Sequence, residues 1–221
     1  MNLYQKRVQA LLSPEERRVF LRHKTPQKIQ DFLDSFPINF EIGGETYCSP
    51  RRTLREKTAH CFEGAVLTAS LLAYHGYRPL LMDFQTIPKD EDHVVALFRD
   101  KKTKHWGAIS KTNHSVLRFR DAVYKTPREL AMSYFHEYFL WNGKKSLRAY
   151  SAPFDLTRFN PERWVTAEKH LHWLVDLLDN SKHYSIAGSG TMRKLRPVSP
   201  IEIKALRHIE WPDPRKKKRK S

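Results

Sequence analysis

The chain has 221 residues, 40% of them hydrophobic, and its 40 Lys and Arg against 24 Asp and Glu give a formal net charge of +16. That length buries one core of ordinary size and leaves little for a second domain. No apolar run reaches the roughly 18 residues of a membrane span, and the opening MNLYQKRVQALLSPEERR lacks a secretory signal's apolar centre and cleavage site, so a cytoplasmic location is expected.

Ser13-Pro14-Glu15-Glu16 and Thr25-Pro26-Gln27-Lys28 each read as a helix start, a hydroxyl cap followed by Pro at the first helical position. The second of these helices carries Ile29, Phe32, Leu33 and Phe36 at helical spacing and stops at Pro37. Between Pro37 and Arg55, turn signals at Gly43-Gly44 and Ser49-Pro50 accompany the alternation Ile38, Phe40, Ile42, which reads as a short strand, and the stretch as a whole reads as an irregular covering loop.

From Thr58 to His75, Ala65, Val66, Ala69, Leu72 and Ala73 follow a helical period, with Gly76 as terminator. Strand-like runs follow over Pro79 to Phe84, His93 to Phe98 and His105 to Ser110, and a helix ahead of an antiparallel sheet is an α+β order. Thr126-Pro127-Arg128-Glu129 caps a helix running to about Phe139, and Ala167 to Leu178 forms another, with a turn at Asn142-Gly143 between them. Residues 181–221 read as a linker, a short helix from Ser199-Pro200 and a basic tail RKKKRK kept disordered by self-repulsion, so the domain is expected over residues 1–180.

Cys48 and Cys61 are too few for a disulfide framework and are expected to be free thiols. Cys61 falls three residues after the candidate cap Thr58, in a helix's first turn, where unpaired N–H groups and the helix dipole favour a thiolate. Cys61, Ala65, Thr68 and Leu72 share a face, which directs the sulfur toward the sheet. His93 opens a strand in which His93, Val95 and Leu97 face one way and Val94, Ala96 and Phe98 the other, so its imidazole stands at the sheet's end, where a general base is useful.

The order of these features in Ser49 to Ser110, namely AHCFEGAVLTASLLAYHGYRP, then DHVVALF, then HWGAIS, resembles the transglutaminase-like superfamily, relatives by fold of papain-type proteases and peptide N-glycanases. The resemblance implies a Cys-bearing helix packed on a small antiparallel sheet with flanking helices. It also implies Cys61 as acyl-accepting nucleophile, His93 as its base and later acid, and a third residue that orients the imidazole. The family usually has Asp after the third strand; here Ser110 stands there with Asn113 three residues on, and Asn113 is the first choice, Ser110 the second, while Asp121 stays open. His60 stands where the family often has Gly, and His60 and Glu63 are read as surface groups.

No zinc ligand spacing is present, since Cys48 and Cys61 lie thirteen apart and His136-Glu137 lacks a second His. Phosphate loops and dinucleotide motifs are lacking too, so neither metal nor cofactor is expected. The aromatics Tyr134, Phe135, Tyr138, Phe139 and Trp141 have the spacing of a core helix more than of a base-stacking surface. The expected function is a cysteine-dependent hydrolase or acyltransferase acting on an amide of a peptide or protein. The alternative is an inactive adaptor of the same fold, whose basic surface makes non-specific contact with acidic protein or nucleic acid.

Overall fold

In the computed structural model, residues 2–217 are described, with side chains to residue 215. Three short helices open the chain: α1 (Leu3–Leu11), α2 (Pro14–Arg22) and α3 (Pro26–Asp34). The hydroxyls of Ser13 and Thr25 cap α2 and α3 as their sequences predict, and Asn2 caps α1, which the sequence reading does not include. The same Ser-Pro signal at Ser49-Pro50 starts α4 (Pro50–Glu56), inside the segment expected to be irregular throughout.

Helix α5 (Cys61–Tyr74) is the centre of the molecule, and every residue from Phe62 to Tyr74 is buried. A helix that is apolar on all sides needs cover on all sides. It lies on the sheet and is flanked by α1, α3 and α4. Its C-terminus closes as a Schellman turn: Gly76 has φ +81, the Tyr77 N–H donates to the Leu72 carbonyl and the Gly76 N–H to that of Ala73. Its N-cap is His60 rather than Thr58, with Glu63 Oε2 accepting the His60 N–H at 3.2 Å.

The sheet contains β1 (Leu80–Gln85), β2 (His93–Arg99), β3 (Trp106–Ser110), β4 (Arg120–Tyr124), β5 (Ala149–Ser151), β6 (Phe154–Asp155) and β7 (His183–Ser185). All pairings are antiparallel, in the order β4-β3-β2-β1-β5-β7 with β6 beside β1. Helix α6 (Pro127–Phe135) covers the face opposite α5 and ends four residues before Phe139. Leu81, Val94, Ala96, Phe98 and Ile109 pack toward α5, whereas Leu80, Met82, Phe84, Val95, Leu97 and Ala108 pack toward α6. The period-2 alternation therefore holds although both faces are buried.

After α7 (Glu162–Val165) comes α8 (His172–Asp179), shorter than expected because residues 167–171 run irregularly and cap other groups: Ala167 O accepts from Ser49 Oγ and His170 Nδ1 from the Tyr47 N–H. The stretch expected to be a linker is corrected in part. Strand β7 pairs with β5, and Ile186, 2% exposed, joins the α6-side core, so residues beyond 180 complete the sheet. Then follow α9 (Ser189–Arg193), α10 (Pro200–Leu206) and α11 (Pro214–Lys217), and the rest of the basic tail lies outside the described residues. Among the described residues, no helix is long and apolar enough to cross a membrane.

Candidate active site

The N-terminus of α5 opens into a cavity of about 520 Å³ lined by Cys61, His60, His93, Asn113, Leu117 and Tyr138, among others. Cys61 occupies the first helical position, where the backbone N–H has no intrahelical acceptor. His60 turns back over that first turn because its backbone is extended, φ −93 and ψ −174. Its Nε2 lies 2.6 Å from the Thr46 carbonyl, which can only accept, so Nε2 carries the proton and Nδ1 faces Cys61 Sγ at 4.0 Å. Burial alone pushes the Cys61 thiol up, but the His60 and His93 rings outweigh it and bring its pKa from 9.0 down to about 5. Burial likewise disfavours charge on His60, yet the Cys61 thiolate, with Glu63 behind it, raises the pKa of that ring to about 9.

Glu63, 1% exposed, ties this corner together. Its carboxylate accepts from Asn39 Nδ2, Thr46 Oγ1 and the backbone N–H groups of Cys48 and His60. These partners and the nearby His60 charge offset the cost of burial and hold its pKa low. The 37–48 segment is thereby fastened to the N-terminus of α5.

His93, 7% exposed, is the first residue of β2, and its Nε2 lies 2.8 Å from Ser110 Oγ. The Ser110 hydroxyl has one proton and gives it to the Leu117 carbonyl at 2.5 Å. Ser110 Oγ must then accept from His93 Nε2–H, which leaves Nδ1 as the unprotonated nitrogen of the neutral ring. Ser110 is itself fixed by Gln30, whose side-chain amide accepts from the Ser110 N–H at 3.0 Å and donates to its carbonyl at 2.9 Å. Leu117 sits at φ +59, a left-handed conformation costly for Leu, held by the Ser110 bond and by Glu137 Oε2 accepting its N–H at 2.7 Å.

Asn113, the first choice from sequence for the third position, does not reach His93. Its amide pairs both ways with the Trp211 backbone, at 2.8 and 2.9 Å, so it holds the C-terminal segment against the 113–118 loop. His114 Nδ1 to Leu206 O, Ser115 Oγ to Ala205 O and Arg118 to Glu210 extend that contact. Asp121 is exposed on β4. His60, Glu63, Gln30 and Tyr138 were not assigned to the site from sequence. The Glu three residues after His60 is the signal that marks His60 as a cap.

Cys48 is a different kind of thiol. It is 1% exposed, and burial together with Glu63 and Glu56 raises its pKa far above the ordinary value. Of the aromatics weighed as a base-stacking surface, Tyr134, Phe135, Tyr138 and Phe139 are buried and only Trp141 is exposed. Glu41, Asp90, Glu91, Asp92 and Glu137 line the cavity together with Lys89, Lys111 and Arg215, a wall of mixed charge.

The sequence matches no family model and no curated protein. A solved structure with partial similarity is calcium-bound LapG from Legionella pneumophila, 16% identical, covering 48% of this chain and 70% of that one at a TM-score of 0.34. A likeness this partial assigns no activity to this chain.

Proposed function

We propose that this protein is a transglutaminase-like cysteine hydrolase or acyltransferase that acts on an amide of a peptide or protein through a Cys61 thioester. The observation that carries this reading is the thiol at the first position of α5, with His60 Nδ1 at 4.0 Å from its sulfur and His93 lining the same cavity. His93 Nδ1 takes the proton of the Cys61 thiol and becomes imidazolium, the sulfur attacks the carbonyl carbon, the C–S bond forms and the π pair moves to oxygen. When the oxyanion collapses, the C–N bond breaks and the amine leaves with a proton from the His93 imidazolium. Neutral Nδ1 of His93 then takes a proton from water or an acceptor amine, which attacks the thioester and releases Cys61. In this reading Ser110 takes the orienting place that Asp usually has, and it does so as a dipole without charge.

The test is to trap the intermediate. Incubation with para-nitrophenyl acetate should add one acyl group, located on Cys61 by peptide mass spectrometry and removed by hydroxylamine. Cys61→Ser should remove the adduct and His93→Ala should slow its formation. Acylation confined to Cys48 or surface lysines overturns the reading.

A further inference from the structure

A second cavity, of about 780 Å³, is lined by four cations, Lys144, Lys145, Arg148 and Arg193, and among the described residues by no carboxylate. The carboxylate that Lys145 does influence, Glu202, is committed to the start of α10, where its Oε2 accepts from the Ser199 N–H and hydroxyl. The heads of Lys144 and Arg193 are exposed and, among the described residues, donate no hydrogen bond. Arg148 gives Nη1 to the Lys145 and Leu147 carbonyls, at 3.1 and 2.9 Å, and its Nη2 has no acceptor there. Met192 and Leu195 line the same cavity, half-buried and packed on the α6-side core. Like charges in one concave wall focus a positive potential, so the occupant this wall favours is anionic. Single-stranded nucleic acid draws much of its affinity from bases stacked on aromatic rings, and no Phe, Tyr or Trp lines this cavity among the described residues. An acidic peptide with apolar side chains matches both the cations and the apolar pair.

We propose that this groove binds an acidic peptide segment, whose carboxylates meet Lys144, Arg148 and Arg193 and whose apolar side chains seat on Met192 and Leu195. The groove contains neither Cys61 nor His93, so the inference is independent of the thioester reading. It adjoins the thiol cavity along the chain, since Trp141 lines that cavity and Asn142 this one.

The experiment follows, by fluorescence anisotropy, the binding of a short fluorescein-labelled peptide of alternating Glu and Leu to the full chain. Because the chain carries a net +16, the groove must be separated from charge alone. Lys144→Glu with Arg193→Glu alters the groove, and Lys24→Glu with Lys102→Glu makes the same change of net charge at exposed lysines outside it. The Kd should rise at least about tenfold in the first double variant and by less than about twofold in the second. A peptide of alternating Glu and Ser, equal in charge, should bind the wild type more weakly than the Glu and Leu peptide. In the wild type the bound peptide should slow amide exchange in residues 185–195, a readout that needs no variant. Equal weakening in both double variants, or protection confined to other residues, assigns the binding to net charge and overturns the groove. Equal affinity for the Glu and Ser peptide, or a single-stranded oligonucleotide that displaces the Glu and Leu peptide at a lower concentration than the unlabelled peptide does, overturns the choice of ligand. A wild type that shows no saturable binding overturns the proposal as a whole.

Discussion

Replacing His60 with Gln tests whether two imidazoles, rather than one, activate Cys61. The amide of Gln keeps a donor for the Thr46 carbonyl but has no charge. The fall from 9.0 to about 5 amounts to roughly 5 kcal/mol of preference for the thiolate, shared between His60 and His93. Loss of one nearby opposite charge raises a pKa by roughly 1–2 units. At pH 6 the thiolate fraction should then drop from about nine-tenths to between about one half and one tenth. Iodoacetamide alkylation followed across pH by peptide mass spectrometry measures this at Cys61, with Cys48 as an inert internal reference. An unchanged midpoint in His60→Gln, alongside a raised one in His93→Ala, refutes the two-imidazole account.

The same pair has a stability signature. A depressed thiol pKa contributes stability that is complete above 9.0 and lost as pH falls through about 5. The raised His60 pKa contributes stability that is complete below 6.5 and lost as pH rises through about 9. Both describe one thiolate–imidazolium pair, which stabilises the fold between about 5 and about 9. His60→Gln should therefore flatten the dependence of melting temperature on pH.

Ser110→Ala removes the acceptor of His93 Nε2 and leaves the Leu117 carbonyl without its donor. Acylation should fall by at least about tenfold, and urea unfolding should show a loss of about 1–2 kcal/mol. Asn113→Ala should leave the alkylation profile of Cys61 unchanged while amide exchange quickens at Glu210 and Trp211, both bonded to Asn113. Gly64→Ala places a Cβ at 2.6 Å from Lys111 Cβ, an atom fixed next to backbone. It should cost about 1–3 kcal/mol by denaturant unfolding.

The legible parts of the fold are those with a long period. Helix α5 is visible because its apolar period runs unbroken to Gly76, and β1, β2 and β3 because each alternates over five or more residues. Strands β5, β6 and β7 have three, two and three residues; β5 and β6 exist because β1 offers an edge to pair with, and β7 because β5 does. No local pattern predicts them. The places of Cys61 and His93 are legible from their helix and strand, whereas the partner of the His93 ring is not. Side-chain chemistry favours Asn113 over Ser110, but which of them meets the His93 ring depends on Leu117 bending into a left-handed conformation to take the Ser110 hydroxyl proton. His60 reads as a surface group by the rule that neighbours on a helix point apart, a rule that does not bind a cap, whose backbone is extended.

The buried carboxylate of Glu63 also dates the thiol's activation within the chain's own assembly. Its acceptor bonds join residues 39, 46, 48 and 60, and His93 and Ser110 arrive from strands later in sequence. A chain emerging from the ribosome with α5 formed but β2 and β3 not yet docked has His60 beside the thiol and lacks His93, so the thiol is only partly activated. Its full activation thus waits for the last strands to dock, and the contacts that complete the fold also complete the site.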